Sequence, residues 1–289
     1  IPLMKIVVLG AGALGCALGS VLTEAGHEVW LVNRGQAHVD AMNQHGLKVR
    51  EDGVDRFVKV HAATHCSGVD LTSGPVDLII VLVKSFHTKE AIESAKPILS
   101  QDTVVLSLQN GLGHEDILAD VVGQERVLAG KTYAGGVLIG TGHIIVGTQG
   151  KDTHIGELNG EVSPRVTRIA EVFNQAGLLT YVSENIMGTM WDKLLVNVAT
   201  GALSGITRLP YGELYKLPEV ETCAIAAVAE AMAVAKVKGI QLSVTDPQQP
   251  WVKAAAGLPY EFKASMLQSL EKGSITEIDF VNGAVVRWG

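Results

Sequence analysis

Gly10, Gly12 and Gly15 stand in the order G-x-G-x-x-G directly after the apolar run Ile6-Val7-Val8-Leu9. Glycines at that spacing could cradle a phosphate. The first permits a tight turn, the second lets the backbone approach an anion, and the third lets a following helix sit close on the strand. Gly10-Ala11-Gly12-Ala13-Leu14-Gly15 would then line a pyrophosphate at a helix N-terminus, where unpaired N–H groups and the helix dipole favour negative charge. The motif alone is weak. Here it sits inside a strand, glycine turn, Ala/Leu-rich helix and second apolar run from Glu28 to Val32, which makes it a dinucleotide site.

The end of the second run selects the dinucleotide. A carboxylate there, about 20 residues after the glycines, would hold a ribose 2′-OH. This chain has Asn33-Arg34 instead and offers no carboxylate at that position. A guanidinium beside a neutral amide suits a 2′-phosphate. A charge-assisted hydrogen bond of roughly 1.5–3 kcal/mol would favour NADPH about tenfold to a hundredfold. A solvated loop arginine is the plain alternative.

A second set of residues could move a proton. Lys193, Asn197, Thr200 and Ser204 fall at i, i+4, i+7 and i+11 of one predicted helix, so they share a stripe. The opposite face is apolar, with Met187, Met190, Trp191, Leu194, Leu195 and Val198. Such a stripe is either a solvent face or the lining of a cleft. The helix carries few charges beyond Asp192 and Lys193, which favours the cleft. Reducing a ketone by hydride transfer leaves an alkoxide that needs a proton donor and a nearby positive charge. Burial would bring the lysine pKa down toward working pH and suit Lys193 to that task.

The elements that must position these groups follow from the hydrophobic pattern. The run from Val76 to Val83 reads as a parallel strand buried on both faces, and Thr103 to Leu108 as another, with a crossover helix over Thr88 to Leu99. Ligands of open α/β sheets bind at the carboxyl ends of strands, so Lys84 and Asn110 are candidate cofactor or substrate contacts. Lys84 also reads as a helix-flanking charge, and Asn110-Gly111 as a turn signal. A helix is expected after Gly35 and a hairpin over Leu47 to Val60. An antiparallel meander that extends the sheet edge is expected from Arg126 to Glu157. A helix capped by Ser163-Pro164 and ended by Gly177 should follow, then a strand to Val182. Beyond Ser183 the pattern is almost wholly helical. The fold class is therefore α/β: a Rossmann-type doubly wound sheet over residues 4–184, followed by an all-helical domain over 185–289.

Composition narrows the function classes. The chain has 289 residues, 47% hydrophobic, enough for two cores, and a net charge of -7 that gives no basic patch for nucleic acid. Cys16, Cys66 and Cys223 make no metal spacing and read as reduced thiols of a cytoplasmic protein. No metal site is expected. No apolar run approaches the ~20 residues of a membrane span. Ile1-Pro2-Leu3 reads as a remnant preceding a native start at Met4, and the end at Gly289 falls within a predicted helix, so a further C-terminal segment is expected.

Six segments in this order resemble the 2-dehydropantoate 2-reductase (ketopantoate reductase) family over nearly the whole chain. They are Gly10 to Gly15, Val83-Lys84, Gln109-Asn110-Gly111, Trp191-Asp-Lys-Leu-Leu-Val-Asn197, Ser265-Met-Leu-Gln268 and Thr276-Glu-Ile-Asp279. The resemblance implies Lys193 as general acid. It implies Glu277 as a group that binds substrate and orients the lysine, and Asn197 and Ser265 as holders of the keto acid. Asn110 and Lys84 would lie where nicotinamide meets substrate, with Arg34 on the 2′-phosphate of NADP. One departure is visible: the family stripe commonly carries a second asparagine where this chain has Gly201.

Plain alternatives stand beside these roles. Ser274-Ile-Thr-Glu277 also fits a capping box, and Ser265 an exposed helix serine. The expected activity is NADPH-dependent reduction of ketopantoate to pantoate. Other readings are a reductase of another small 2-keto acid, an opine-type or secondary-alcohol dehydrogenase, and a dinucleotide sensor without chemistry. A methyltransferase glycine loop fits less well, because Asn33-Arg34 lacks the acid expected for a ribose. A small 2-keto acid is the expected partner, with no nucleic acid or membrane, and a homodimer is the assembly to test.

Overall fold

The computed structural model describes residues 2–289; Ile1, the first residue of the expected remnant, lies outside them. The chain folds as two units. One comprises the residues up to Asn110 with His114–Ile186, the other Gly111–Gly113 with Met187–Gly289.

The first unit contains, in chain order, β1 (Lys5–Leu9), α1 (Ala13–Glu24), β2 (Glu28–Val32), α2 (Gln36–His45), β3 (Leu47–Glu51), β4 (Val54–Val58), β5 (His61–Ala63) and β6 (Leu78–Val81). It continues with α3 (Thr88–Ala95), β7 (Val104–Ser107), α4 (His114–Val122), β8 (Val127–Thr132), β9 (Gly135–Gly140), β10 (His143–Gly147), β11 (Thr153–Glu157), α5 (Pro164–Gln175) and β12 (Thr180–Val182). Eight strands form one sheet in the order β12-β11-β8-β7-β6-β1-β2-β5. All neighbours are parallel except β8 and β11.

The central strands are buried on both faces, so their side chains alternate between two cores. Ile6, Val8, Leu78 and Ile80 point to one core, shared with Leu18 and Leu22 of α1 and Ile169 and Phe173 of α5. Val7, Leu9, Ile79 and Val81 point to the other, with Ile92 of α3 and Leu118 of α4. Each such side chain contributes about 1.5–3 kcal/mol on burial. Strand order reverses between β1 and β6, because β2 and β5 lie to one side and β7 and β8 to the other. That switch point leaves a crevice beyond the carboxyl ends of β1 and β6.

The expected meander over Arg126 to Glu157 is not one structure. β8 joins the main sheet parallel to β7, and β11 returns antiparallel to β8. The hairpin of β9 and β10 instead joins β3 and β4 in a separate four-stranded sheet, with β10 parallel to β3 through Ile144 opposite Val49. Short β-rich pieces carry no record of which distant strand they pair with, so the local pattern could not separate the two sheets.

The second unit is helical: α6 (Ile186–Thr207), α7 (Tyr211–Leu214), α8 (Pro218–Val237), α9 (Gln248–Ala255), α10 (Ser265–Glu271) and α11 (Asn282–Trp288), with a 3-10 turn at Ile278–Phe280. Tyr211, Leu214, Val220, Ala224 and Trp251 form one of its cores, and the rings of Tyr215 and Trp251 stack at 3.8 Å. Trp191 is fully buried and lies 5.5 Å from the ring of Trp288. Among the described residues no helix is long and apolar enough to cross a membrane.

Candidate active site

The glycine turn follows β1 at the switch point. Gly10 has φ +107°, and a Cβ there would come within 2.4 Å of the Val83 nitrogen. Only glycine fits. The N–H groups of Gly10 and Ala11 both donate to the Val32 carbonyl, at 3.1 and 2.8 Å, which ties the turn to the end of β2. Gly15 touches the turn itself: a Cβ would meet the Gly10 carbonyl oxygen at 2.5 Å, so α1 starts directly on β1. Above Gly12, by contrast, nothing lies within 4 Å of a Cβ position. Gly12 caps α1 without a side-chain hydrogen bond, and the first turn of α1 holds no acidic residue. An open space over free helix N–H groups, with no competing carboxylate, fits a pyrophosphate.

The Ala11 carbonyl is the node that holds this loop. It accepts from Asn33 Nδ2 at 2.9 Å and from Cys16 Sγ at 3.3 Å, and His38 Nε2 lies 3.2 Å away. Gly142 N–H donates to His38 Nδ1 at 3.0 Å, so the ring proton belongs on Nε2 and is given to Ala11. Asn33 Oδ1 accepts from Gly35 N–H at 2.8 Å. Both ends of the Asn33 amide are therefore used in bracing the loop. Burial pushes the Cys16 thiol up to about 12, so it packs as an inert group. Sequence reasoning missed His38, because its partners lie far away along the chain.

Arg34 differs from expectation in its surroundings. Its Nη2 lies 2.9 Å from Glu90 Oε2. The sequence places no carboxylate beside Arg34, yet the fold delivers one from the first turn of α3.

Lys84 follows β6, exposed, at the start of a 3-10 turn over Ser85–His87, and Asn110 follows β7, also exposed. A buried polar network joins the two strand ends. Gln109 Nε2 donates to the Val83 carbonyl at 2.9 Å and to Thr88 Oγ1 at 2.8 Å, while its Oε1 accepts from Ser107 Oγ at 3.0 Å. Ser85 Oγ lies 2.7 Å from His114 Nε2. Burial lowers the His114 imidazole to about 4. The loops that present Lys84 and Asn110 are thus fixed from beneath by side chains that never reach the surface.

In the second unit, Lys193 and Asn197 stand one turn apart on α6, both half-buried. The predicted stripe does not continue as one polar lining. Thr200 and Ser204 are buried; Thr200 Oγ1 lies 2.9 Å from the Tyr211 hydroxyl, and Ser204 Oγ has no partner among the described residues. Small hydroxyls can bond to nearby helix carbonyls or to a single neighbour, so they enter a core where an amide or ammonium would not. Asp192, one of the few charges on this helix, is an anchor: its carboxylate accepts from Ser243 N–H and Oγ and from Val244 N–H.

Ser265 is the exposed first residue of α10, and α10 lies directly on α6. A Cβ on Gly201 would come within 3.3 Å of Met266 Cε, and one on Gly205 within 3.0 Å of Leu270 Cδ1. The departure at Gly201 thus has a packing reason, since an asparagine there would push Met266 away. Glu277 is half-buried, and its carbonyl accepts from Phe280 N–H in the 3-10 turn. The helix start that the alternative capping box over Ser274 to Glu277 would need is absent. No helix starts at Ser274, whose N–H donates to the Ser269 carbonyl, and the turn after Glu277 has no side-chain cap. No group of His, Cys, Asp and Glu among the described residues could hold a metal ion.

Comparison with known proteins covers both units. The family profile described as Ketopantoate reductase PanE/ApbA matches residues 6–160, and its C-terminal counterpart matches residues 185–289. A 2-dehydropantoate 2-reductase of Pyrococcus horikoshii is 35% identical over 99% of this chain and 90% of its own. A PanE/ApbA family ketopantoate reductase structure from Ralstonia eutropha superposes with a TM-score of 0.86 at 35% identity, covering 99% of this chain and 91% of that one. The ternary structure of D-mandelate dehydrogenase with NADH and anilino(oxo)acetate superposes with a TM-score of 0.85 at 30% identity, covering 99% and 92%. With both its sheet and its helical unit matched, the chain belongs to the ketopantoate reductase family and is an oxidoreductase.

Proposed function

We propose that this enzyme reduces 2-dehydropantoate to pantoate with NADPH, as a cytoplasmic step of pantothenate synthesis. Residues 4–184 hold the cofactor and residues 185–289 the keto acid. The observation that carries this reading is the family match over both units, joined to a glycine turn whose open side faces nothing but space above Gly12.

A nicotinamide dinucleotide would rest its pyrophosphate on the backbone of Gly10, Ala11, Gly12, Ala13, Leu14 and Gly15, with Asn33 bracing that loop and Arg34 meeting the 2′-phosphate. Lys84 and Asn110 stand at the strand ends where the nicotinamide ring belongs. When bound, the reduced cofactor supplies a hydride to C2 of the substrate. Asn197 and Ser265 bind the keto acid, Glu277 binds substrate and orients the lysine, and Lys193 gives a proton to the carbonyl oxygen as it gains charge. One hydride and one proton complete the alcohol.

A second reading is favoured by one contact. Gly201 stands where the family stripe commonly has an amide, and Met266 occupies the adjacent space. A thioether there suits a more apolar 2-keto acid, in keeping with the fold shared with D-mandelate dehydrogenase. Loss of NADPH absorbance tests both readings, with ketopantoate, 2-ketoisovalerate, pyruvate, acetoacetate and phenylglyoxylate as substrates. Fastest turnover of ketopantoate is expected. Preference for phenylglyoxylate would favour the second reading, and binding of NADPH without turnover of any keto acid would refute both.

A further inference from the structure

We infer that Glu90 sets how strongly this enzyme discriminates between the phosphorylated and unphosphorylated dinucleotides; the inference rests on Arg34 as the 2′-phosphate ligand. Arg34 Nη2 and Glu90 Oε2 are 2.9 Å apart, with side chains 62% and 71% exposed. An ion pair that open to water contributes little to holding the fold, so stability gives no reason for the carboxylate to stand there. Its position matters for ligands instead. Arg34 follows β2, where the adenosine ribose of a dinucleotide is expected, and Glu90 reaches it from the first turn of α3.

Glu90 does not depend on Arg34 for its own placement, because a carboxylate in a helix first turn is favoured by the helix dipole. A 2′-phosphate, carrying about two negative charges, must either displace Glu90 from the guanidinium or sit beside it. Both lower affinity for the phosphorylated cofactor. A ribose 2′-OH brings no charge and meets no such obstacle. Arg34 therefore supplies a preference for NADPH that Glu90 reduces, and the carboxylate missing from the end of β2 returns from another element as a counterweight.

The test is calorimetric titration of the purified enzyme with NADP+, NAD+ and 2′,5′-ADP, comparing wild type, Glu90→Gln and Arg34→Ala. Glu90→Gln keeps the shape and removes the charge. It should lower the Kd for NADP+ and 2′,5′-ADP about two- to tenfold at low salt and leave NAD+ unchanged, the gain shrinking at about 0.5 M salt as charges are screened. An unchanged or weaker affinity for NADP+, or a gain insensitive to salt, would overturn the inference. If Arg34→Ala weakens NADP+ selectively while Glu90→Gln does nothing, only the role of Glu90 falls. If Arg34→Ala leaves NADP+ binding intact, the phosphate assignment falls with it.

Discussion

The two units hold their candidate functional groups in different ways. In the sheet unit, the candidate phosphate cradle consists of backbone N–H groups on consecutive residues, set by glycines where an added Cβ would come within 2.4–2.5 Å of neighbouring backbone. In the helical unit, Lys193, Asn197, Ser265 and Glu277 are side chains on α6, on α10 and before the 3-10 turn, brought to their places by helix packing. A cradle of backbone fails when its geometry is disturbed. A set of side chains can lose one member and keep its scaffold.

Removing the ammonium should sharpen that contrast most. Lys193→Ala is expected to lower kcat by about 10²- to 10⁴-fold while the melting temperature and cofactor affinity stay near wild type. Steady-state kinetics beside thermal unfolding would decide it, and an unaltered kcat would end the general-acid role. Gly10→Ala should behave in the opposite manner. Its φ of +107° and its approach to Val83 force the backbone to move, at about 1–3 kcal/mol. Dinucleotide affinity should fall about tenfold to a hundredfold together with stability, as followed by NADPH fluorescence titration and urea unfolding; a normal Kd would break the comparison.

Glu277→Ala comes next, with KM for the keto acid rising about tenfold and the fold intact, the scale of one charge-assisted hydrogen bond. A KM equal to wild type would take Glu277 out of the substrate site. The smallest effect belongs to the network beneath Lys84 and Asn110. The folded His114 titrates near 4 and a free imidazole near 6.5, so between these values the unfolded chain binds more protons. Stability from this residue is complete above about pH 6.5 and is lost as pH falls toward 4, by at most about 1.4 kcal/mol per pH unit. His114→Asn should flatten that slope in urea midpoints measured at pH 7 and pH 5. A parallel slope in both proteins would mean that the ring is not the group responsible.

Legibility followed the distance over which each role is decided. Gly10, Gly12 and Gly15 could be read because turn, helix start and strand contact fall within a few residues. The buried strands β1, β6 and β7 were equally plain as apolar runs. Asn33 was read as part of the cofactor segment from its place after β2, but its bracing of Ala11 depends on how β2 lies beside the loop. Thr200 and Ser204 were read as lining from their spacing, yet Tyr211 and the core claim them. Asp192 was read only as one of the few charges on its helix, and its role as an anchor depends on Ser243, which lies far along the chain.

The sequence by itself determined the strand, glycine turn and helix at the start of the chain, the buried strands β6 and β7, the change to an almost wholly helical second part and the family, since periodicity and glycine spacing act through neighbours along the chain. Tertiary structure alone decided that β9 and β10 leave the main sheet, that Gln109 ties two strand ends together, that Met266 fills the space beside Gly201, and that Arg34 meets Glu90. Those contacts join residues far apart in sequence, and pairing at a distance is fixed only when whole elements pack.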